Sequence, residues 1–239
     1  MSLLTPDRTR YDLNFRLNDI PVRVHPGFWI VHGVIGATTA TGIGAWAFFL
    51  WIACAFVSIV IHELGHVLAG RQFGARGEIV LTVFGGHAGA SADLGERSHR
   101  IIVYLSGPAA QLLLAGTLAL VCSTFRLGPW AALPPPPQYP VMPQPSAEAG
   151  NPADAAKARE FQEEYVRASQ EYMQTLMAHF FSPAVLAVVM LVGINIGWGL
   201  FNLIPIPPLD GGRVLMELIG RHPDGDHKPW ELDPDWWKR

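Results

Sequence analysis

Apolar residues in this chain come mostly in long runs. Four stand out: Phe28 to about Gly44, Ala45 to about Gly70, Ile101 to about Thr124 and Pro183 to about Leu203. A helix crosses a bilayer with roughly 20 predominantly apolar residues, so each run predicts a spanning helix, the first marginal in length. A short amphipathic piece, Arg213 to Gly220, follows the fourth run and predicts a partial or interfacial helix. Two β-type stretches lie between the runs. Residues 13–24 alternate around an Asn-Asp turn and predict a hairpin leading into His25-Pro26-Gly27. Residues 78–84, EIVLTVF, form a β-rich run that stops at Gly85-Gly86, with HAGAS beyond as a candidate return strand. The expected fold class is an all-α polytopic membrane protein: about four spanning helices, a short C-terminal partial helix and a small β-hairpin or sheet element.

Composition agrees with a membrane protein, because 50% of the residues are hydrophobic and only 15% are charged. The first 27 residues are polar and contain no apolar core ending in a small-residue cleavage site, so no removable signal peptide is expected and the first span directs insertion. A net charge of −3 leaves no basic stripe to neutralise phosphates, which argues against a nucleic-acid partner. Cys54 and Cys122 fall inside apolar runs with no CxxC or Cys/His spacing around them, and read as small packing residues.

Basic residues set the orientation. Arg8, Arg10, Arg16 and Arg23 precede the first span, Arg71, Arg76, Arg97 and Arg100 follow the second, and Arg213, Arg221, Lys228, Lys238 and Arg239 follow the fourth. Thirteen of the 17 basic residues thus fall on one side of a four-span topology, the cytoplasmic side by the positive-inside rule. The expected organisation is a cytoplasmic N-terminal arm with short strands (1–27), a membrane core (28–124 and 183–220), an extracytoplasmic insert (125–182) and a polar cytoplasmic tail (221–239). The insert opens on Pro134 to Pro137, stays rich in Pro and Ala to Pro152, and then turns helical with a stripe of Phe161, Tyr165, Tyr172, Leu176 and Phe180. Both β elements and both termini are expected in the cytoplasm, in a multi-pass protein of the cell membrane. Trp46, Trp51, Trp130 and the tail tryptophans 230, 236 and 237 read as headgroup anchors.

Chemistry enters in the second run, which ends in His62-Glu63-Leu-Gly-His66. Residues four apart share a helix face, so both imidazoles can reach one Zn²⁺ with Glu63 next to them. An ionisable residue in a spanning helix is costly and is by default a functional-site hypothesis. A second signature closes the fourth run: Asn202-Leu-Ile-Pro-Ile-Pro-Pro-Leu-Asp210-Gly-Gly. Pro205, Pro207 and Pro208 forbid a continued helix, and irregular backbone at membrane depth survives only where it is buried in protein or lines a cavity. A carboxylate there, Asp210, is stabilised by coordination, which makes it a candidate third ligand.

Together these elements resemble the site-2 protease family of intramembrane zinc metalloproteases. The likeness rests on His62 to His66, on Asn202 to Gly212, on Phe84-Gly85-Gly86 after a strand, and on the lead-in Ile20-Pro-Val-Arg-Val-His25-Pro26; it covers most of residues 15–220. Gly107-Pro108-Ala-Ala-Gln111 departs from it, since the family usually has Asn at the last position. The resemblance implies one Zn²⁺ per chain held by His62, His66 and Asp210, with Glu63 as general base and Asn202 contacting substrate or oxyanion. Three protein ligands leave a fourth position open, as in a catalytic site. The sequence resembles the compact subclass of that family, for which no PDZ or CBS module is expected. The expected function is a zinc endopeptidase cutting transmembrane segments of membrane-protein substrates within the bilayer, in regulated proteolysis or in clearance of signal-peptide remnants. A substrate segment must unwind first, and the edge of strand 78–84 is expected to capture it by strand addition, with Val83, Phe84, Gly85 and Gly86 as contacts.

Two alternatives remain. A membrane zinc protease of another family would take a downstream Glu or His as third ligand, and a non-catalytic metal-binding membrane chaperone would have no need of Glu63. His25, His32, His87, His99 and His179 read as interface or turn histidines, and Gln111 and Asn195 as interhelical hydrogen-bond partners, rather than as site residues.

Overall fold

The computed structural model describes residues 7–83, 85–88, 94–144 and 152–220. The tail 221–239 with its three tryptophans, Phe84, residues 1–6 of the N-terminal arm and residues 145–151 of the linker lie outside the described residues. The elements run β1 (Leu13–Leu17), β2 (Ile20–Val24), α1 (Pro26–Ala40), α2 (Ala45–Gln72), β3 (Ile79–Thr82), β4 (Gly85–Ala88), α3 (Arg97–Thr124), α4 (Pro152–Phe180), α5 (Pro183–Asn202) and α6 (Asp210–Leu218). The chain divides into two compact units, Met1–Val121 with Ala187–Arg239, and Cys122–Leu186.

Among the described residues, three helical segments are long and apolar enough to cross a membrane: Ala45–Gln72, Arg97–Trp130 and Pro183–Asn202. The first expected span is shorter than its apolar run, because α1 has 15 residues and stops at Ala40 before Gly42 and Gly44, both at positive φ. Its length of about 22 Å falls short of the roughly 30 Å hydrocarbon core.

The two β stretches form one mixed four-stranded sheet of order β1-β2-β3-β4. Asn18, at φ 54°, turns the β1–β2 hairpin. β3 then pairs parallel to β2, with Val22 opposite Ile79 and Val24 opposite Leu81, and antiparallel to β4. This corrects the expectation of an available edge on strand 78–84. Both sides of β3 are hydrogen-bonded, and the outer strand beyond it is β4.

Alternation explains how the sheet docks. Ile20, Val22 and Val24 of β2 point one way and join Ile79 and Leu81 of β3 in a core with Phe28 of α1 and Ile59, Val60 and Val67 of α2. The sheet is thereby fixed on the stretch of α2 that carries His62 and His66. Ahead of β1, Arg23 donates to Asp12 at 3.1 Å. Burial pushes the Asp12 carboxyl up, but hydrogen bonds from Thr9 and Arg23 outweigh it and hold the group below its usual range.

In the second unit the proline tract packs back on α4: Tyr165 stacks on Tyr139 at 4.8 Å, and the Tyr172 hydroxyl donates to the Pro134 carbonyl. The stripe expected on this helix therefore has a partner inside its own unit.

After α5 ends at Asn202, residues 203–209 bend, and α6 begins at Asp210. A bidentate ion pair anchors α6: Arg100 Nε and Nη2 donate to Glu217 Oε1 and Oε2 at 2.8 and 2.9 Å, while Nη1 donates to the carbonyls of Leu94 and Gly95. Both side chains are buried. Removing one partner of such a pair leaves an uncompensated charge and costs about 3–5 kcal/mol. Glu217→Ala is accordingly expected to lower the thermal unfolding midpoint in detergent sharply. Arg100→Met with Glu217→Leu should recover most of the loss; equal midpoints for single and double variants would contradict this account.

Candidate metal centre

Helix geometry alone brings two of the three candidate ligands together, since His62 and His66 are one turn apart on α2. Their Nε2 atoms lie 3.0 Å apart. Asp210, the first residue of α6, brings Oδ2 to 3.0 Å from His62 Nε2 and 3.3 Å from His66 Nε2. All three residues are buried. The backbone bend after α5 is what delivers the carboxylate, and its place at a helix N-terminus favours negative charge.

The ring nitrogens turned away from this point identify the tautomers. His66 Nδ1 is 2.7 Å from the carbonyl oxygen of Val103, which can only accept, so Nδ1 carries the hydrogen. His62 Nδ1 is 3.0 Å from Gln111 Oε1, and the other end of that amide donates to the Ser58 carbonyl at 3.1 Å. Nδ1 of His62 is therefore a donor as well. Both Nε2 atoms are left with lone pairs facing each other, and the buried Asp210 Oδ2 beside them accepts no hydrogen bond.

Three lone pairs converging with no proton between them suit a cation. Zinc bonded tetrahedrally to nitrogen and oxygen at roughly 2.0–2.2 Å separates its ligand atoms by roughly 3.3 Å, close to the three distances here. Nitrogen and carboxylate donors are of the type zinc takes.

Glu63 is 2% exposed, with Oε1 3.9 Å from His62 Nε2. It faces β4: a Cβ built on Gly86 would sit 2.3 Å from the Glu63 side chain, so any larger residue there would have to displace Glu63 from this position. Gly85, at φ 110°, lies against Trp198 in the same way. The seam with α3 is as close. A Cβ on Gly107 would fall 2.3 Å from His66 Nε2, and one on Gly65, within the HELGH motif, 2.5 Å from the Ser106 carbonyl oxygen.

The remaining candidates are distributed differently. The Asn202 amide donates to the Trp198 carbonyl of its own helix at 3.0 Å, and its described hydrogen bond does not reach the cluster. Val83 lies in the turn after β3 and is 38% exposed, and Phe84 lies outside the described residues. His25 caps α1 by accepting from the Gly27 N–H, and His99 pairs with Glu96 and stacks on Phe73. Asn195 is an interhelical partner as expected, donating to Ser58 Oγ at 2.8 Å. Gln111 is more than that, because it touches a candidate ligand. Its polar character within an apolar span was the available signal, but nothing in the sequence shows which residue it meets.

The model of peptidase family M50 matches residues 50–228, which include both motifs. A zinc metalloprotease of Methanocaldococcus jannaschii is 23% identical over 209 residues, covering 87% of this chain and 45% of that protein. A Synechocystis protein bearing the name "putative zinc metalloprotease" is 26% identical over 212 residues, 84% of this chain and 42% of its own length. The chain thus spans less than half the length of these curated relatives. Among solved structures, a site-2 protease from Methanocaldococcus jannaschii is similar with a TM-score of 0.47 and 20% identity, over 88% of this chain and 72% of that one.

Replacing a ligand should empty the centre. Asp210→Ala and His66→Ala are expected to purify with zinc reduced from about one per chain to near zero by elemental analysis, and Gly107→Val, which pushes on His66, should lose most of it too. Full zinc occupancy in Asp210→Ala would remove Asp210 from the ligand set.

Proposed function

The chain belongs to peptidase family M50, the site-2 protease family, and from that premise we propose that it is an intramembrane zinc endopeptidase cutting peptide bonds within or near transmembrane segments of other membrane proteins. The carrying observation is the convergence of His62 Nε2, His66 Nε2 and Asp210 Oδ2 beside Glu63, on a helix of 28 residues apolar enough to cross a bilayer. The names of the two relatives support zinc as the metal.

Zinc held by these three residues would supply Lewis acidity toward a peptide carbonyl and toward water. Glu63 accepts the proton of the attacking water and returns it to the leaving amide nitrogen, the exchange a buried carboxylate beside the ligands is placed to perform. Gln111 and the Val103 carbonyl hold the two imidazoles in their donor-outward tautomers throughout. Asn202 gives one amide hydrogen to the Trp198 carbonyl, and the second hydrogen of the same amide is the one that would serve the substrate or oxyanion. The substrate segment, unwound, pairs along β4, the outer strand beside Glu63. Basic residues before α1, after α2 and in α6 support a cytoplasmic location for both termini and for this end of α2, in the cell membrane.

Purified protein in lipid, given a panel of single-span substrates, tests the reading. Wild type is expected to cut inside the span, and Glu63→Gln to lose at least about a thousandfold in rate while keeping its zinc, since general base and nucleophile activation are lost together. Zinc-loaded wild type that cuts no panel member under conditions where a tethered substrate is bound would favour the metal-binding chaperone.

Strand pairing has its own test. Adjacent residues of an outer strand direct their N–H groups alternately toward the neighbour and toward the free edge. One of His87→Pro and Ala88→Pro should therefore abolish cleavage while leaving zinc content unchanged; wild-type cleavage in both would exclude capture along β4.

A further inference from the structure

We infer that Gln111 is a positioning residue that sets the tautomer and ring orientation of His62 by bridging one turn of α2. The inference rests on the zinc reading of the cluster and adds a residue to it. Ser58 and His62 are four residues apart, about 6 Å of rise along α2, so the Ser58 carbonyl and the His62 ring, the two partners of the Gln111 amide, lie on one face of that helix. The order of contacts is forced. A backbone carbonyl has no hydrogen to give, so the NH₂ end of the amide faces Ser58 and the oxygen faces His62. An oxygen at His62 Nδ1 demands a hydrogen on that nitrogen, which leaves Nε2 bare toward His66 and Asp210. The Ser58 carbonyl thus dictates, through one amide, which nitrogen of His62 can bind a metal.

The two ligand histidines are oriented by different means. His66 is held by a main-chain carbonyl of α3, which the Ser106 hydroxyl also reaches, so no side-chain substitution removes its acceptor. His62 depends on a single side chain, itself fully buried.

A role in interhelical packing alone makes different predictions, and Asn195→Leu is the reference for it. Asn195 is buried and donates to Ser58 Oγ and the Leu191 carbonyl; neither hydrogen bond is made to Gln111 or to His62. Two readouts apply to wild type, Gln111→Met, Gln111→Glu and Asn195→Leu: the nitrogen chemical shifts of the His62 ring in metal-free protein, and zinc affinity by competition with a chromophoric chelator. Gln111→Met keeps length and volume and removes both hydrogen bonds. It is expected to lose the Nδ1–H preference of His62 and to weaken zinc binding by about 10–100-fold. Gln111→Glu keeps an oxygen to accept from His62 Nδ1–H, so it should restore the Nδ1–H preference and bring affinity to within a few-fold of wild type. Asn195→Leu should lose thermal stability with both readouts unchanged. Gln111→Met behaving like Asn195→Leu, with tautomer and affinity intact, overturns the inference, as does wild-type His62 found in the Nε2–H form. Wild type that takes up no zinc would defeat the zinc reading by itself, while the ring shifts would still decide the role of Gln111.

Discussion

Three lone pairs aimed at one buried point are the constraint on which the first unit depends. Left alone they repel, and in a low-dielectric surrounding the repulsion is poorly screened. A cation at the centre turns the same arrangement into bonds, but only if every other polar atom of the ligands is satisfied by the protein. That requirement recruits α3 twice, through the Val103 carbonyl and Gln111. It also gives the break after α5 a reason, because the third candidate ligand, Asp210, comes from a helix that starts, rather than passes, at this depth. Arg100 and Glu217 then hold that helix from its far end through two parallel hydrogen bonds.

Close packing around the cluster follows from the same geometry. A helix that crosses α2 near enough for its carbonyl to reach His66 leaves no room for a Cβ at Gly107, and a strand that covers Glu63 leaves none at Gly86. The glycines here are the volume that the polar contacts require. The sheet contributes by being fixed elsewhere: its core with Ile59, Val60 and Val67 brackets His62 and His66 along α2, so β4 is placed over Glu63 by apolar packing of β2 and β3.

Much of this was legible in the sequence because it is local. Two histidines four apart on an apolar run need only helix geometry to become neighbours. Three prolines before Asp210 announce a broken helix whose carboxylate needs a reason to be buried. The hairpin around Asn18 and the helices α2, α3 and α5 are likewise read from short-range patterns. What was not legible depends on long-range register. Nothing in EIVLTVF says that it will pair parallel to β2 across the whole of α1 and α2, and that pairing moves the sheet's outer strand from β3 to β4. Gln111 was read as an interhelical partner because its neighbour on α2 is set by how α3 docks. The first apolar run overstated its helix because hydropathy continues through Thr41 to Gly44 while the backbone, with glycines at positive φ, does not.

Strand pairing along β4 carries a geometric consequence for the proposed substrates. A residue advances about 1.5 Å in a helix and about 3.3 Å in a strand, so four residues passing from one to the other lengthen by about 7 Å. Each backbone group freed in hydrocarbon costs several kcal/mol unless it is paired again at once, and the outer edge of β4 offers partners for one side of the unwound segment only. The lengthening must also be absorbed. A spanning helix held at both interfaces has no slack, whereas one that frays near an end, or contains glycine or proline, supplies slack and has fewer internal hydrogen bonds to lose. On this argument the proposed capture along β4 would select by local helix stability near the cut as much as by side-chain fit, since Gly85 and Gly86 present almost no side chain with which to discriminate.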